Sequence, residues 1–451
     1  MTDKITSLNT CRRSLVAALL CATALGLAGC SDAGGDPKDQ IGPNPKLPDP
    51  QQYLAPPMNL AKVVGWKDGE KPNVPKDLAI TAFATGFKHP RSIYTLPNGD
   101  ILVVESGAPP ENSVRRPKDI VMGWVESYVT STGADSGPPG NRIILLRDAD
   151  GDGKPEVRET FLDNLHSPFG VALVGNDFYV ADTDAILHYT YTEGATKITT
   201  PGKVLTPLPG GPIDHHWTKS LVASPDGKLL YVGVGSNSNI TENGIQAELN
   251  RAAIWEVDRE TGRWRLFATG LRNPNGLTFE PETKALWTVV NERDELGPDL
   301  VPDYMTSVKD GAFYGWPYSY YGQHVDARVM PQRPDLVAKA IPPDYALSSH
   351  VAPLGLVFDT GDSLPANYKG GAFIGEHGSW DRPQLNGYKV VFVPFKGGKP
   401  AGMAQDIVTG FLDQKNQARG RPVGVALDKS GALLIADDVG NTIWKVTAAK
   451  P

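Results

Sequence analysis

Arg421-Pro422-Val423-Gly424-Val425, followed by a Ser430-Gly431 turn and Leu433-Leu434-Ile435, is one of six copies of a single pattern in this chain. Each copy has a polar or proline-containing approach, a small residue, an apolar alternation, a turn, and a second apolar run. The others open with His89-Pro90-Arg91-Ser92-Ile93, Ser167-Pro168-Phe169-Gly170-Val171, Lys219-Ser220-Leu221, Asn273-Pro274-Asn275-Gly276-Leu277 and Ala352-Pro353-Leu354-Gly355-Leu356. Measured between Ile93, Val171, Leu221, Leu277, Leu356 and Val425, they lie 78, 50, 56, 79 and 69 residues apart. A constant hairpin at irregular spacing means insertions hung on a repeated sheet. A hairpin plus two further strands per repeat makes a propeller blade. The sequence therefore predicts an all-β fold, a six-bladed β-propeller with inserted loops and a short helix, in preference to paired β-sandwiches. Ala79-Ile80-Thr81-Ala82-Phe83 and the terminal Thr442-Ile443-Trp444-Lys445-Val446 are expected to share one blade, closing the ring and hiding its sheet edges. The helix is placed at 118–130, where Ile120, Val121, Trp124, Val125 and Tyr128 recur at helical spacing.

Composition agrees. The 451 residues carry 48 Gly and 39 Pro without any three-residue period, as many turns between short strands require. Lys and Arg total 44 against 51 Asp and Glu, with no basic block, which argues against nucleic acid as a partner.

The ends of the chain have other work. Lys4, Arg12 and Arg13 precede an apolar run over 15–27 that is too short to span a bilayer, and Leu27-Ala28-Gly29-Cys30 closes it. This resembles a bacterial lipoprotein signal, which implies cleavage after residue 29, a lipid on Cys30 and a periplasmic, membrane-anchored product, with the outer membrane as the expected host. Arg12-Arg13 also raises twin-arginine export, although its flanks match poorly. Removing 1–29 takes a net +2 from the formal −7, leaving −9, and leaves one cysteine, so the exported domain (76–451) has no internal disulfide. Residues 30–75, rich in Pro, Gly, Asp and Lys, read as a flexible tether.

Equivalent positions of a propeller lie at one height around one axis, so the residues before each inner strand crowd one mouth. There stand His89 and Arg91, His166, His215 and His216, Arg272 and Asn273, His350, and Arg419 and Arg421: five of the eight histidines. Guanidinium and imidazole groups converging in an acidic protein point to an anionic ligand with several acceptors.

The ordered set of motifs resembles the PQQ-dependent sugar dehydrogenases, in particular the L-sorbosone dehydrogenase-like branch of the soluble glucose/aldose dehydrogenase superfamily. It comprises His216 with Ser224-Pro225-Asp226-Gly227, Gly270-Leu271-Arg272-Asn273-Pro274, Asn291-Glu292-Arg293-Asp294 through Gly297-Pro298 to Asp303-Tyr304, Tyr314-Gly315-Trp316-Pro317, and Arg419-Gly420-Arg421-Pro422. The resemblance implies His216 as catalytic base, with His215 as its rival, and Arg272 and Asn273 on the quinone side of PQQ. It implies Arg419 and Arg421, with Arg91, on the cofactor's carboxylates, and Asp303 and His350 beside it. Gly297 and Pro298 match backbone ligands of a catalytic Ca²⁺, with Glu292 or Arg293 as substitutes in a longer loop. His377 or Arg382 stands where the glucose enzymes have a lysine. Asp214 is placed to orient a histidine or is only a loop charge. Tyr318, Tyr320, Tyr321, Trp217 and Trp380 are aromatics beside the mouth, available for sugar stacking or for core packing. A membrane quinone or periplasmic cytochrome would suit such an anchored enzyme as electron acceptor.

The residue chemistry is consistent with this. A histidine can take the hydroxyl proton while a quinone takes hydride and a hard cation polarises it. There is no Gly-x-Gly-x-x-Gly for nicotinamide and no Cys-x-x-Cys-His for covalent haem. The alternatives are a Ca²⁺-dependent six-bladed lactonase, which needs carboxylates where this mouth reads as basic, and a non-catalytic binding propeller. Separately, Asp148, Asp150 and Asp152 with Gly153, the Lys154 carbonyl and Glu159 have EF-hand loop spacing on a hairpin, a candidate structural Ca²⁺ site.

Overall fold

The computed structural model describes residues 35–51, 58–110 and 138–450. It is a six-bladed β-propeller. Blade 1 comprises Pro90–Thr95, Ile101–Glu105, Arg142–Arg147 and Val157–Leu162; blade 2, Gly170–Val174, Asp177–Ala181, Ala185–Thr190 and Lys203–Pro207. Blade 3 comprises Leu221–Ala223, Leu229–Val234, Ala253–Asp258 and Trp264–Thr269; blade 4, Pro274–Phe279, Leu286–Val290, Pro302–Ser307 and Tyr345–Ser349. Blade 5 comprises Pro353–Phe358, Ala372–Glu376, Lys389–Val393 and Gln405–Val408. Blade 6 takes Pro422–Leu427, Leu433–Asp437 and Thr442–Ala448 from the end of the chain and Leu78–Thr85 from its start, the closure expected from the sequence. All six motif copies are the innermost strands.

Buried apolar residues fall into one cluster per gap between blades. Leu145, Val171 and Phe178 fill the gap between blades 1 and 2, and Leu146, Leu434 and Ile443 fill that between blades 6 and 1. Second strands are sandwiched on both faces, which is why Ile101–Glu105 and Leu286–Val290 are buried throughout and are apolar but for Glu105 and Thr288. The inner strands approach one another where a side chain would not fit. A Cβ on Gly170 would lie 2.3 Å from Leu221 N, and one on Gly355 would lie 2.4 Å from Val423 O. Phe169, Trp217, Leu354 and Val423 plug the axis below the mouth.

One expectation changes. The described part of the 30–75 segment is a strap laid on the propeller. Ile41–Gly42 adds a fifth strand to blade 4, Asn73 exchanges backbone hydrogen bonds with Thr409, and Trp66 packs edge-on to Trp444 at 5.3 Å and to Phe411 at 5.7 Å. One aromatic ring and a paired backbone anchor a segment whose average composition reads as solvated. The helix expected at 118–130 and the leader ending at Cys30 lie outside the described residues. The α-helix that is described, Pro334–Val337, sits in the long insertion of blade 4, which also carries the hairpin Ser319–Tyr320/His324–Val325.

Candidate functional site

In an antiparallel blade the start of the inner strand and the end of the second strand reach the same mouth. The first set carries the residues expected from sequence. The second set brings the loop from Asn291 to Asp303 and the loop from His377 to Arg382, parts of which the sequence motifs already named, together with Ser236, Asp381 and Asp437-Asp438, which they did not.

His216, half-buried on the approach to blade 3, has Nδ1 2.8 Å from the Ser236 carbonyl oxygen and 3.0 Å from its Oγ, which itself donates to Ser238 O. A carbonyl only accepts, so Nδ1 carries the hydrogen and Nε2 keeps its lone pair. Burial, then the nearby Arg272 charge, hold this imidazole well below its usual pKa, so it is neutral at pH 7. His215, exposed on the rim, meets it edge-on at 4.6 Å. Asp214 pins the loop: it accepts from Thr183 and from Arg251 at 3.2 Å and lies 3.5 Å from the fully buried Lys219 amine, which donates to Trp217 O at 2.9 Å. That buried amine is lowered to about 8 by desolvation.

Arg272 is buried and largely committed. It donates to Asn239 O, Asn291 O and, at 2.7 Å, Glu292 O, and keeps a long 3.4 Å contact with Asp294. It therefore shapes the loop after blade 4's second strand and sets the field on His216, where the sequence suggested a direct hold on the cofactor. Asp303 staples two loops by accepting from the Glu292 and Ala352 amides, both at 2.8 Å; burial pushes it up to about 7. His350 lies between Asp294 (Nδ1 to Oδ1, 3.2 Å) and Gly297 O (Nε2, 3.1 Å). Burial opposes its charge, but Asp294 and then Asp381 outweigh it and raise the ring to about 9.

Across the mouth, His377 Nε2 lies 2.9 Å from Asp438, which also accepts from Arg91, while Arg421 donates to His377 O and Gly378 O. Burial, then Arg421, lower His377 to about 4. The two halves meet at Ala352: its amide bonds Asp303 and its carbonyl accepts from the His377 amide at 3.0 Å. Arg91 lies over the Trp217 ring at 5.6 Å. Arg419 is not part of this set: it lies 3.6 Å from Glu70 and over Trp66 of the strap. His166 turns outward to Asp184, and Tyr320 and Tyr321 are core residues packed with Leu300 and Val301.

Does this arrangement fit an acidic, planar cofactor? Cationic Arg91 and Arg421, the Trp217 ring, and Arg91 Nε, a buried donor with no partner among the described residues, say that it does. The backbone cradle expected for a cation fits less well. Gly297 O already accepts from His350, Pro298 O accepts from Arg382 at 2.8 Å, and Arg293 is paired with Asp326. Glu292 is raised to about 7 by burial, and its Oε1 finds no partner among the described residues. The mouth is also not simply basic. Asp294, Asp381 and Asp438 arrive from second-strand ends, which removes the ground on which the sequence sets a lactonase aside.

In the hairpin of blade 1, Asp148, Asp150 and Asp152 cluster with Glu156, their oxygens within 4.8 Å of one another. Glu159 stands instead in the strand Val157–Leu162, opposite Leu145. An EF-hand returns its twelfth position to the ion through a helix; a strand leads it away.

Known proteins share this architecture. The holo form of the pyranose dehydrogenase PQQ domain from Coprinopsis cinerea superposes with a TM-score of 0.67 and 19% identity over 85% of this chain and 98% of that one. A calcium structure of the Trichoderma reesei carbohydrate-active enzyme of family AA12 gives 0.67 and 19% over 88% and 99%. The aldose sugar dehydrogenase YliI of Escherichia coli is 25% identical over 188 residues, 39% of this chain and 48% of that protein. A family model described as TrAA12-like matches residues 140–308 and 333–449, most of the propeller, and on that match the chain belongs to the TrAA12-like family.

Proposed function

We propose that this chain is a PQQ-dependent dehydrogenase of a sugar or a sugar-derived aldehyde or alcohol, with His216 as the proton acceptor. The observation that carries the reading is the state of that histidine: neutral, its Nδ1–H tied to Ser236 O, and its Nε2 lone pair left over in a mouth rich in cations. When bound, the ortho-quinone supplies the hydride acceptor. The chain's part is to hold Nε2 ready for a hydroxyl proton, to keep His216 neutral through burial and the Arg272 charge, and to offer Arg91 and Arg421 to the cofactor's anionic edge and Asn273 to its quinone side. Relatives whose descriptions name a PQQ domain, calcium and aldose oxidation support PQQ, a divalent cation and a sugar as this chain's ligands.

The finer placement in the L-sorbosone dehydrogenase-like branch rests on the ordered motifs alone. Export, a lipid on Cys30, a periplasmic location at the outer membrane and reoxidation by a membrane quinone or cytochrome belong to the same proposal and rest on the leader sequence. Ca²⁺ in the Asp148–Asp152 loop, with Glu156 as its fourth carboxylate, is a structural part of it. A second reading, a metal-dependent lactonase, is favoured by Asp294 and Asp381 at the mouth. Reconstituting the purified protein with PQQ and Ca²⁺ and assaying both dye reduction with aldoses and lactone hydrolysis separates the two. Dye reduction that requires PQQ supports the dehydrogenase; lactone hydrolysis indifferent to PQQ, without dye reduction, overturns it.

A further inference from the structure

We propose that Asp294, Asp381 and His350 form a divalent-cation site in the wall of the mouth, holding the metal by side chains where the sequence pointed to the Gly297 and Pro298 carbonyls. The three residues come from separate segments: the loop after blade 4's second strand, the loop after blade 5's, and the approach to blade 5's inner strand. The fold nevertheless brings one ligand atom of each within 4.8 Å of the others, with His350 and Asp381 buried. Such convergence across two blades is not a solvated acidic face.

The orientation of the imidazole points the same way. Gly297 O, 3.1 Å from Nε2, can only accept, so that nitrogen carries a hydrogen, while Nδ1 faces Asp294 Oδ1 at 3.2 Å, where a bound cation would take the place of the second ring proton. An imidazole whose outer N–H rests on a backbone carbonyl while the other nitrogen faces carboxylates is the usual posture of a metal-bound histidine. The carboxylates are braced as well: one Asp381 oxygen accepts from the Glu295 amide at 2.9 Å, and Asp294 contacts Arg272 at 3.4 Å. The alternative cradle is occupied by protein, since Pro298 O accepts from Arg382, itself 3.2 Å from Asp299.

Two carboxylates suit a hard cation, and the imidazole shifts preference toward a metal that accepts nitrogen. The site is therefore expected to bind Mn²⁺ more tightly than Ca²⁺. This deepens the dehydrogenase reading by naming the residues that hold its cation. Its tests read binding alone, so their failure would leave sugar oxidation standing.

The test uses the full exported chain without PQQ, carrying Asp150→Asn and Asp152→Asn to silence the blade 1 loop, titrated with Mn²⁺ and followed by calorimetry and by the EPR signal of free Mn²⁺. One Mn²⁺ per chain is expected, displaced by Ca²⁺ only in excess. Asp381→Asn should weaken binding by at least the roughly 100-fold at the upper end of what loss of an outer-shell partner costs, and His350→Gln should do the same. The Asn oxygen can keep the Glu295 bond, so Asp381→Asn decides the matter even where His350→Gln fails to fold. Mn²⁺ affinity unchanged in Asp381→Asn, or no stoichiometric binding to the folded loop-silenced protein, overturns the proposal.

Discussion

Replacing Gly235 by alanine tests the placement of His216, the proposed proton acceptor, without replacing it. The added methyl would sit 2.5 Å from His216 Cβ and 2.6 Å from Asn273 Oδ1. Ordinary contact is about 3.5 Å or more, so roughly 1 Å of relief is needed. Asn273 can give by rotating its amide. His216 cannot, because the atom that is struck lies beside its backbone, on a loop pinned by Asp214 and Lys219. Gly235 is not in the left-handed region, so the backbone itself accepts alanine, and the overpacking cost should stay near 1–3 kcal/mol. A shift of about 1 Å in a reacting group costs on the order of 100-fold in rate. The expected result is therefore a folded Gly235→Ala protein whose kcat/KM for dye-coupled aldose oxidation falls about 100-fold. Thermal unfolding should show only a modest loss of Tm. Wild-type turnover in a folded Gly235→Ala variant would refute the argument, since it would show that His216 need not sit where it does.

Other consequences can be checked alongside. His216 must be neutral to act, and its pKa is depressed, so the acid limb of kcat/KM should fall below pH 6.5; His216→Asn should abolish turnover while keeping the fold. Glu376, buried with Oε2 unpartnered among the described residues, is raised from 4.5 to about 8 by desolvation. Its folded pKa exceeds its unfolded one, so its protonated form favours the fold below 4.5, and that advantage is lost as pH rises through about 8. Relative to Glu376→Gln, wild-type stability should thus decline by up to about 1.4 kcal/mol per pH unit across that window and level off above it, read as Tm against pH. Trp66→Ala should lower stability by about 3 kcal/mol, because it removes the edge contacts to Trp444 and Phe411 and the 2.7 Å bond to Asp437; an unchanged Tm would mean that the strap is a loose tether after all.

The propeller was legible because its inner strands carry a local signature. Proline starts four of the six, and glycine lets neighbouring blades touch, as at Gly170 and Gly355. Closure was legible too, because Ile80 and Trp444 lie in matching apolar runs at the two ends of the chain. The site was half legible. Residues before inner strands share a repeat position, so His216, Arg272 and His350 could be grouped by counting. Asp294, Asp381 and Asp438 arrive from second-strand ends of unequal length, where no fixed offset exists to count. The rule that both ends of an antiparallel hairpin face the same mouth would have found them. Arg419 was misplaced because only tertiary structure reveals the strap that claims it. Glu159 was misplaced because EF-hand spacing presumes a helix that this hairpin lacks.

The central claim is that the mouth holds a quinone cofactor which a sugar reduces with His216 taking the proton. Anaerobic mixing of PQQ-loaded protein with an aldose, followed by stopped-flow absorbance, addresses it directly. The account predicts rapid loss of the quinone band in one turnover, a rate that falls with acid as His216 gains a proton, and no such loss in His216→Asn. Cofactor that is bound yet keeps its quinone spectrum with every aldose and sugar aldehyde tried, or equal bleaching in His216→Asn, would contradict it.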